Sequence, residues 1–302
     1  MSDLKLFSVA NGRVSELDGA AVGLERALQT LFEQNLDPLL GVRFLASEYI
    51  TSNGGRMDTL GIDENGCPVI IEYKRDRSEN VINQGLFYLD WLMDHRGDFE
   101  LLVRDQCGND EADKVEWSAP RLICIASDFT RYDEHAVKQM SRNIELIRYR
   151  RFGDELLLLD LLTAATADTK KLQPTNAVGG QTARYTTVSQ HLENAGETLT
   201  ELYADVRGFL VGLGDDVQEK TLRFYIAFKR IKNFACIEVK PRNGVILAYL
   251  KVDPDTVELD PGFTRDVRNV GHFGTGDLEV TISDLPSFER AKPLIFKSYE
   301  NS

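Results

Sequence analysis

The sequence has no CxxC pair: Cys67, Cys107, Cys124 and Cys236 are scattered, with no histidine near them at zinc-ligand spacing. That argues against a zinc module and a disulfide framework. Cys67 and Cys124 lie in apolar runs and read as buried thiols, which fits a reducing, cytoplasmic compartment. No apolar run approaches membrane-spanning length, and Met1-Ser2-Asp3-Leu4-Lys5 lacks the basic and apolar regions of a signal peptide, so no membrane role is expected. Histidine is scarce. His95, His135, His191 and His272 stand alone, and nothing suggests a Ser-His-Asp or Cys-His nucleophile system. Positive charge is also short: 35 Lys and Arg against 48 Asp and Glu give a net charge of −13. This balance disfavours a general nucleic-acid coat or a membrane-surface binder, but leaves room for an enzyme with a local basic surface.

What is present describes a globular chain of two domains: 302 residues, 42% hydrophobic and 27% charged. Leu4 to Val9 and Arg13 to Leu17, split by Asn11-Gly12, predict a small hairpin. Residues 22–34 carry Leu24, Ala27, Leu28, Leu31 and Phe32 at helical spacing. Pro38 and Gly41 close that region, and a strand is predicted from Phe44 to Thr51. A helix over 79–95 follows Lys74, with Gln84 and Tyr88 one turn apart. A strand over 121–127, a helix over 133–142 and a strand pair over 144–149 and 155–162 complete the first domain, residues 1–162. Residues 163–188, rich in Thr, Ala, Gly, Gln and Asn, read as a linker. Residues 189–302 form a second, smaller α+β domain, with a helix over 192–211 and strands over 222–228, 234–239, 245–252 and 278–282.

One stretch does not fit a plain core. Met57 to Asp63 and Cys67 to Lys74 form a hairpin around Glu64-Asn65-Gly66, with Gly66 at the left-handed bulge position of a three-residue loop. Ile70, Glu72 and Lys74 share one face, and Val69, Ile71 and Tyr73 the other. If Asp63 pairs with Cys67, counting outward along both strands sets Asp58 opposite Glu72 on the same face; a slip of one residue would separate them. Directly opposed carboxylates repel unless a cation lies between them. An Asp, then Glu-x-Lys on the next strand, suits metal-dependent phosphodiester cleavage. The carboxylates of Asp58 and Glu72, with the Tyr73 backbone carbonyl, would hold Mg²⁺ or Mn²⁺. Lys74, roughly 6–7 Å further along the strand, would orient or deprotonate a water, or offset charge on the phosphorus.

With G-R-M-D-T-L, V-I-I-E-Y-K and Q-G-L-F-Y-L in order, the chain resembles the PD-(D/E)XK nuclease superfamily, in particular the branch around the archaeal and actinobacterial NucS/EndoMS endonucleases. The resemblance covers residues 4–162. It implies a mixed α/β fold with a restriction-endonuclease-like αβββαβ core and catalytic Asp58, Glu72 and Lys74. It further implies an outer-sphere metal contact from Glu25, with Glu33 on the same helix as the alternative, and a water or phosphate contact from Gln84. Arg56, Tyr88 and Arg75 are candidate nucleic-acid contacts; a salt bridge to a neighbouring acid is the other reading of Arg56, and a solvent-facing helix position the other reading of Gln84 and Tyr88. In that branch a DNA-binding and dimerisation domain precedes the nuclease domain, whereas only a short hairpin stands there in this chain, so mismatch or flap specificity is not carried over. The C-terminal region resembles a small domain of unknown function found beside nuclease modules. Between Arg223 and Lys251 it holds seven Lys or Arg and one acid, Glu238, interleaved with Phe224, Tyr225, Phe228 and Phe234. Lys229, Arg230 and Lys232 are therefore candidate nucleic-acid contacts, with the solvated face of a two-layer domain as the plainer reading. The expected activity is DNA phosphodiester hydrolysis in repair or defence. A non-cleaving nucleic-acid-binding or interaction protein of the same fold is the alternative, and homodimerisation is left open.

Overall fold

A computed structural model describes residues 4–75, 81–165 and 187–302. The chain opens with the hairpin β1 (Leu6–Ala10) and β2 (Arg13–Leu17), then β3 (Gly19–Ala20), α1 (Glu25–Glu33) and α2 (Leu36–Leu40). Pro38 lies in the first turn of α2, where its missing N–H costs nothing. Strands β4 (Val42–Ile50), β5 (Arg56–Asp63) and β6 (Pro68–Lys74) form an antiparallel meander. The parallel partner of β6 is β7 (Arg121–Ala126), and parallel strands need a crossover. That crossover contains α3 (Val81–Asp94), α4 (Arg96–Cys107) and α5 (Asn109–Ala112), of which α4 and α5 were not anticipated. After α6 (Arg131–Lys138) come β8 (Asn143–Phe152), parallel to β7, and β9 (Leu156–Ala165), antiparallel to β8. The sheet order is β3-β8-β7-β6-β5-β4, with β9 beside β8.

Alternation along β6 explains why helices cover both faces. Val69, Ile71 and Tyr73 pack with Leu28 and Phe32 of α1, while Ile70 packs with Val81, Leu89 and Leu92 of α3. The α3 helix lies close because Gly85 faces Leu122; a Cβ there would come within 2.4 Å of the leucine. The mixed α/β class and the α-β-β-β-α-β succession are those expected.

Residues 166–186, most of the anticipated linker, lie outside the described residues, as do Glu79 and Asn80 of the anticipated helix. The second domain contains α7 (Val188–Glu193), α8 (Gly196–Val211), β10 (Gln218–Thr221), β11 (Ile226–Lys229), β12 (Asn233–Lys240), β13 (Val245–Leu250), β14 (Thr264–Asp266), β15 (Leu278–Ile282) and α9 (Leu285–Glu300). The strand expected over 222–228 is instead a turn followed by β11, because the Leu222 N–H donates to the Tyr225 carbonyl at 2.9 Å. The six strands form one antiparallel sheet, β10-β11-β12-β13-β15-β14. Helices α8 and α9 cover one face. The other face meets the first domain, where Tyr225, Ala227, Cys236 and Tyr249 cluster with Cys67 and Ala119.

Candidate active site

The β5–β6 register places the site. The Asp63 N–H donates to the Cys67 carbonyl at 2.9 Å, Gly66 takes φ +77°, and the pairs run Ile62–Pro68, Gly61–Val69, Leu60–Ile70 and Thr59–Ile71. One step further, the Asp58 and Glu72 carboxylates each accept from a backbone N–H of the opposite strand. The Glu72 Oε1 accepts from the Asp58 N–H at 3.2 Å, and Asp58 Oδ2 accepts from the Tyr73 N–H at 3.0 Å. The two carboxylates are therefore side by side, as the turn geometry predicts. What Tyr73 gives Asp58 is its N–H; its ring lies on the opposite face, 5.6 Å from that of Phe32.

Glu72 is fully buried, and its Oε2 has no hydrogen-bond partner among the described residues. Burial, with the Asp58 charge added, pushes its carboxyl up to about 9. Asp58 is raised too, chiefly by burial and then by Glu25 and Glu48, against the lowering pull of the Tyr73 N–H and Lys74. Such a pair is costly as a purely structural element. A cation between the carboxylates would engage the orphaned oxygen and reverse the cost, so the donor set fits a hard divalent ion. No group of three or more His, Cys, Asp or Glu in metal-binding arrangement occurs among the described residues, so backbone or solvent oxygens would complete the coordination.

Lys74 stands at the open end of β6. Its Nζ lies 3.2 Å from Glu25 Oε1, while Glu25 Oε2 accepts from the Arg75 N–H at 3.1 Å. The structure thereby separates the two acids of α1. Glu25 faces Lys74, whereas Glu33 accepts from Thr59 Oγ1 at 2.7 Å and from Gln29 Nε2 at 2.9 Å. Gln29, missed by sequence reasoning, is buried and also donates to the Asp58 carbonyl at 2.8 Å, so α1 holds the backbone of the acidic strand.

The remaining expected contacts divide. Arg56 is exposed, its Nε 2.8 Å from Glu48 Oε2. Tyr88 is only 6% exposed; its hydroxyl accepts from the Arg56 N–H at 3.3 Å and from Gln84 Nε2 at 3.1 Å. Tyr88 is thus a buried brace, and Gln84 reaches the site strand through it. The basic run of the second domain is not one open face. Lys229 is 1% exposed and its Nζ lies 3.1 Å from Glu145. Arg230 pairs with Asp216 at 2.7 Å and lies over the Tyr299 ring, and Lys232 donates to the Pro38 carbonyl at 3.2 Å. Lys229 has no surface to offer a phosphate, which corrects the expectation for that residue.

An open cavity of about 810 Å³ lies elsewhere, between α1 and the start of β9, and is lined mainly by apolar side chains such as Leu24, Leu31 and Leu157. It contains none of Asp58, Glu72 and Lys74. No helix among the described residues is long and apolar enough to cross a membrane.

Among known proteins, residues 188–302 match the domain of unknown function DUF5655. Two solved structures overlap part of the chain. A repair endonuclease from Pyrococcus abyssi is 18% identical, over 45% of this chain and 51% of that one, with a TM-score of 0.30. An EndoMS–double-stranded DNA complex is 21% identical, over 43% and 46%, also with a TM-score of 0.30. This chain thus spans about half the length of each, and likenesses of this extent decide nothing about activity. An uncharacterized protein of Haemophilus influenzae is 30% identical over 307 aligned positions, covering 97% of this chain and 98% of the relative. With both domains included in that match, the chain belongs to the same family as the Haemophilus influenzae protein.

Proposed function

We propose that this protein is a Mg²⁺- or Mn²⁺-dependent deoxyribonuclease of PD-(D/E)XK type that hydrolyses phosphodiester bonds in DNA repair or in defence against foreign DNA. The observation that carries this reading is the buried Glu72 carboxylate, one oxygen unpartnered, beside Asp58 and with Lys74 on the next outward position of the same strand face. Asp58, Glu72 and the Tyr73 carbonyl would hold the ion. When bound, it supplies positive charge where the phosphorus gains negative charge and polarises the attacked ester.

The chain's own groups do the rest. Lys74, anchored by Glu25, donates to a non-bridging phosphate oxygen or aligns the attacking water. Gln29 and Tyr88 fix the backbone on either side of Asp58, which limits drift of the carboxylate. In-line attack by water leaves a 5′-phosphate and a 3′-hydroxyl.

The test is cleavage of plasmid, single-stranded and branched DNA with Mg²⁺ or Mn²⁺, comparing wild type with Lys74→Ala and Asp58→Ala. Wild type should cut at least one substrate, and each variant should lose about 10³-fold or more. Equal activity in wild type and variants, or none across the substrates, removes the enzyme reading and leaves a non-cleaving nucleic-acid-binding protein.

A further inference from the structure

A second constellation stands beside the carboxylates. Strand β4 runs along the other edge of β5, with Ser47 opposite Thr59 and Tyr49 opposite Met57. That sets Glu48 level with Asp58. Glu48 has φ +53°, a left-handed backbone that residues with side chains rarely adopt. Strain of this kind persists only where the surroundings enforce it, and it concentrates at functional sites. What the strained residue does is visible: Glu48 Oε1 lies 2.8 Å from Arg26 of α1, and Oε2 lies 2.8 Å from Arg56 of β5. One carboxylate holds one arginine from each element that flanks the site.

The arginine side chains are 62% and 64% exposed. Solvent-exposed ion pairs stabilise little, so stability is a poor reason for a strained backbone. The guanidinium groups are also only partly used. Arg56 gives Glu48 its Nε, and Arg26 gives one terminal amine to Glu48 and to Gln29 Oε1 at 3.1 Å. Both terminal amines of Arg56, and the Nε and second terminal amine of Arg26, make no hydrogen bond to the described residues. Two guanidinium groups on one carboxylate leave a net positive charge and planar donor forks, the geometry that matches phosphate oxygens.

We propose that Arg26 and Arg56, oriented by Glu48, form a binding site for a backbone phosphate of the polynucleotide next to the one attacked at Asp58 and Glu72, with Glu48 as a positioning residue. The proposal rests on the nuclease reading for its substrate.

The experiment pairs steady-state cleavage of a labelled DNA duplex with binding of that duplex to Lys74→Ala protein across a salt series. Arg26→Ala and Arg56→Ala, each in the Lys74→Ala background, should weaken binding about tenfold and reduce the salt slope by about one. Glu48→Gln should raise KM about tenfold while kcat stays within about threefold. Glu48→Gly should show the same KM shift with a raised Tm, because glycine adopts that backbone freely. Unchanged KM in both Glu48 variants overturns the proposal, as does a fall in kcat alone, which would place Glu48 in the chemistry. If wild type cuts DNA and the arginine variants bind as before, this site fails and the nuclease reading stands. If no DNA is cut but the arginine variants lose binding, the phosphate site stands and the nuclease reading fails.

Discussion

The β5–β6 hairpin carries buried charge at both ends, and the two ends are built on opposite terms. At the turn end, Asp63 accepts from Arg121 at 2.9 Å, and the other side of Arg121 makes a two-pronged pair with Glu145 at 2.8 Å. Lys229 and Lys220 of the second domain reach the same Glu145, at 3.1 and 3.8 Å. At the open end, Glu72 faces Asp58 and keeps an oxygen without a partner. Both regions are desolvated, so both demand compensation. The first finds most of it within the chain and fastens the two domains, although the Lys220 Nζ has no hydrogen-bond partner among the described residues; the second, two acids and no cation between them, lacks it, in keeping with the proposed cation site.

The largest effect should come from undoing the compensated end. Glu145→Ala leaves Arg121, Lys220 and Lys229 facing Asp63 alone, and removal of one partner from a buried ion cluster costs about 3–5 kcal/mol. Urea unfolding of the whole chain measures it. A loss below about 1 kcal/mol would mean the cluster is wet and the contrast drawn above is mistaken. Lys229→Met should behave differently. Three cations against two carboxylates leave one charge in excess, and removing Lys229 closes the count, so this variant should match or exceed wild-type stability at pH 7.

The same excess gives a pH signature. Burial and the neighbouring Arg121 push Lys229 down to about 7, against the raising pull of Glu145, while Arg121 and the two lysines hold Glu145 well below the ordinary carboxylate range despite its burial. Between about pH 7 and the ordinary lysine value of 10.5, the unfolded chain holds a proton on Lys229 that the folded chain has released. The Lys229 contribution to stability therefore rises through that window, by at most about 1.4 kcal/mol per pH unit, and is lost as pH falls through 7. The advantage of Lys229→Met over wild type should shrink from pH 7 to 10. An advantage constant with pH would show that Lys229 keeps its proton throughout.

The open end predicts the converse, stabilisation from outside the chain. Mn²⁺ at about a hundred times its dissociation constant should add about 2.7 kcal/mol to wild-type stability and add nothing to Asp58→Asn or Glu72→Gln. Gln at position 72 still accepts from the Asp58 N–H but removes a ligand charge. Equal thermal shifts in all three proteins would place the ion elsewhere.

Sequence made one end of this hairpin far more legible than the other. Gly66 fixes the turn, the turn fixes the register, and the register alone brings Asp58 to Glu72. All of those cues lie within 18 residues of one another, from Met57 to Lys74. Lys229 was unreadable for the opposite reason. In the sequence it stands in a basic run and looks solvated, because Glu145, the acid that buries it, is 84 residues away. Glu48 was hidden for another reason: counting outward from the 51–55 turn, Ile50 to Arg56 and Tyr49 to Met57, does set it level with Asp58, but no count shows its left-handed backbone or its hold on Arg26 and Arg56. Arg96–Cys107 escaped as a helix because only Phe99 and Val103 of it are buried, too few to mark a repeating apolar stripe.

The smallest expected effect tests whether α3 belongs to the site or only braces it. The Tyr88 hydroxyl accepts from the Arg56 N–H and from Gln84 Nε2, so Tyr88→Phe removes the group that, among the described residues, hydrogen-bonds α3 to the backbone beside Asp58. Loss of these bonds at a site near solvent should cost about 1 kcal/mol of stability, and loosening of Arg56 should raise KM by about two- to threefold with kcat nearly kept. Gln84→Ala separates the two roles. If the Gln84 amide serves only to orient the Tyr88 hydroxyl, the two variants should have the same KM and kcat. If Gln84 contacts water or phosphate in the Michaelis complex, its removal should depress kcat by tenfold or more while Tyr88→Phe leaves kcat almost untouched. That second outcome would extend the uncompensated end of the hairpin onto α3. The first would confine it to β5, β6 and α1, the elements that already hold Asp58, Glu72 and Lys74 from three sides.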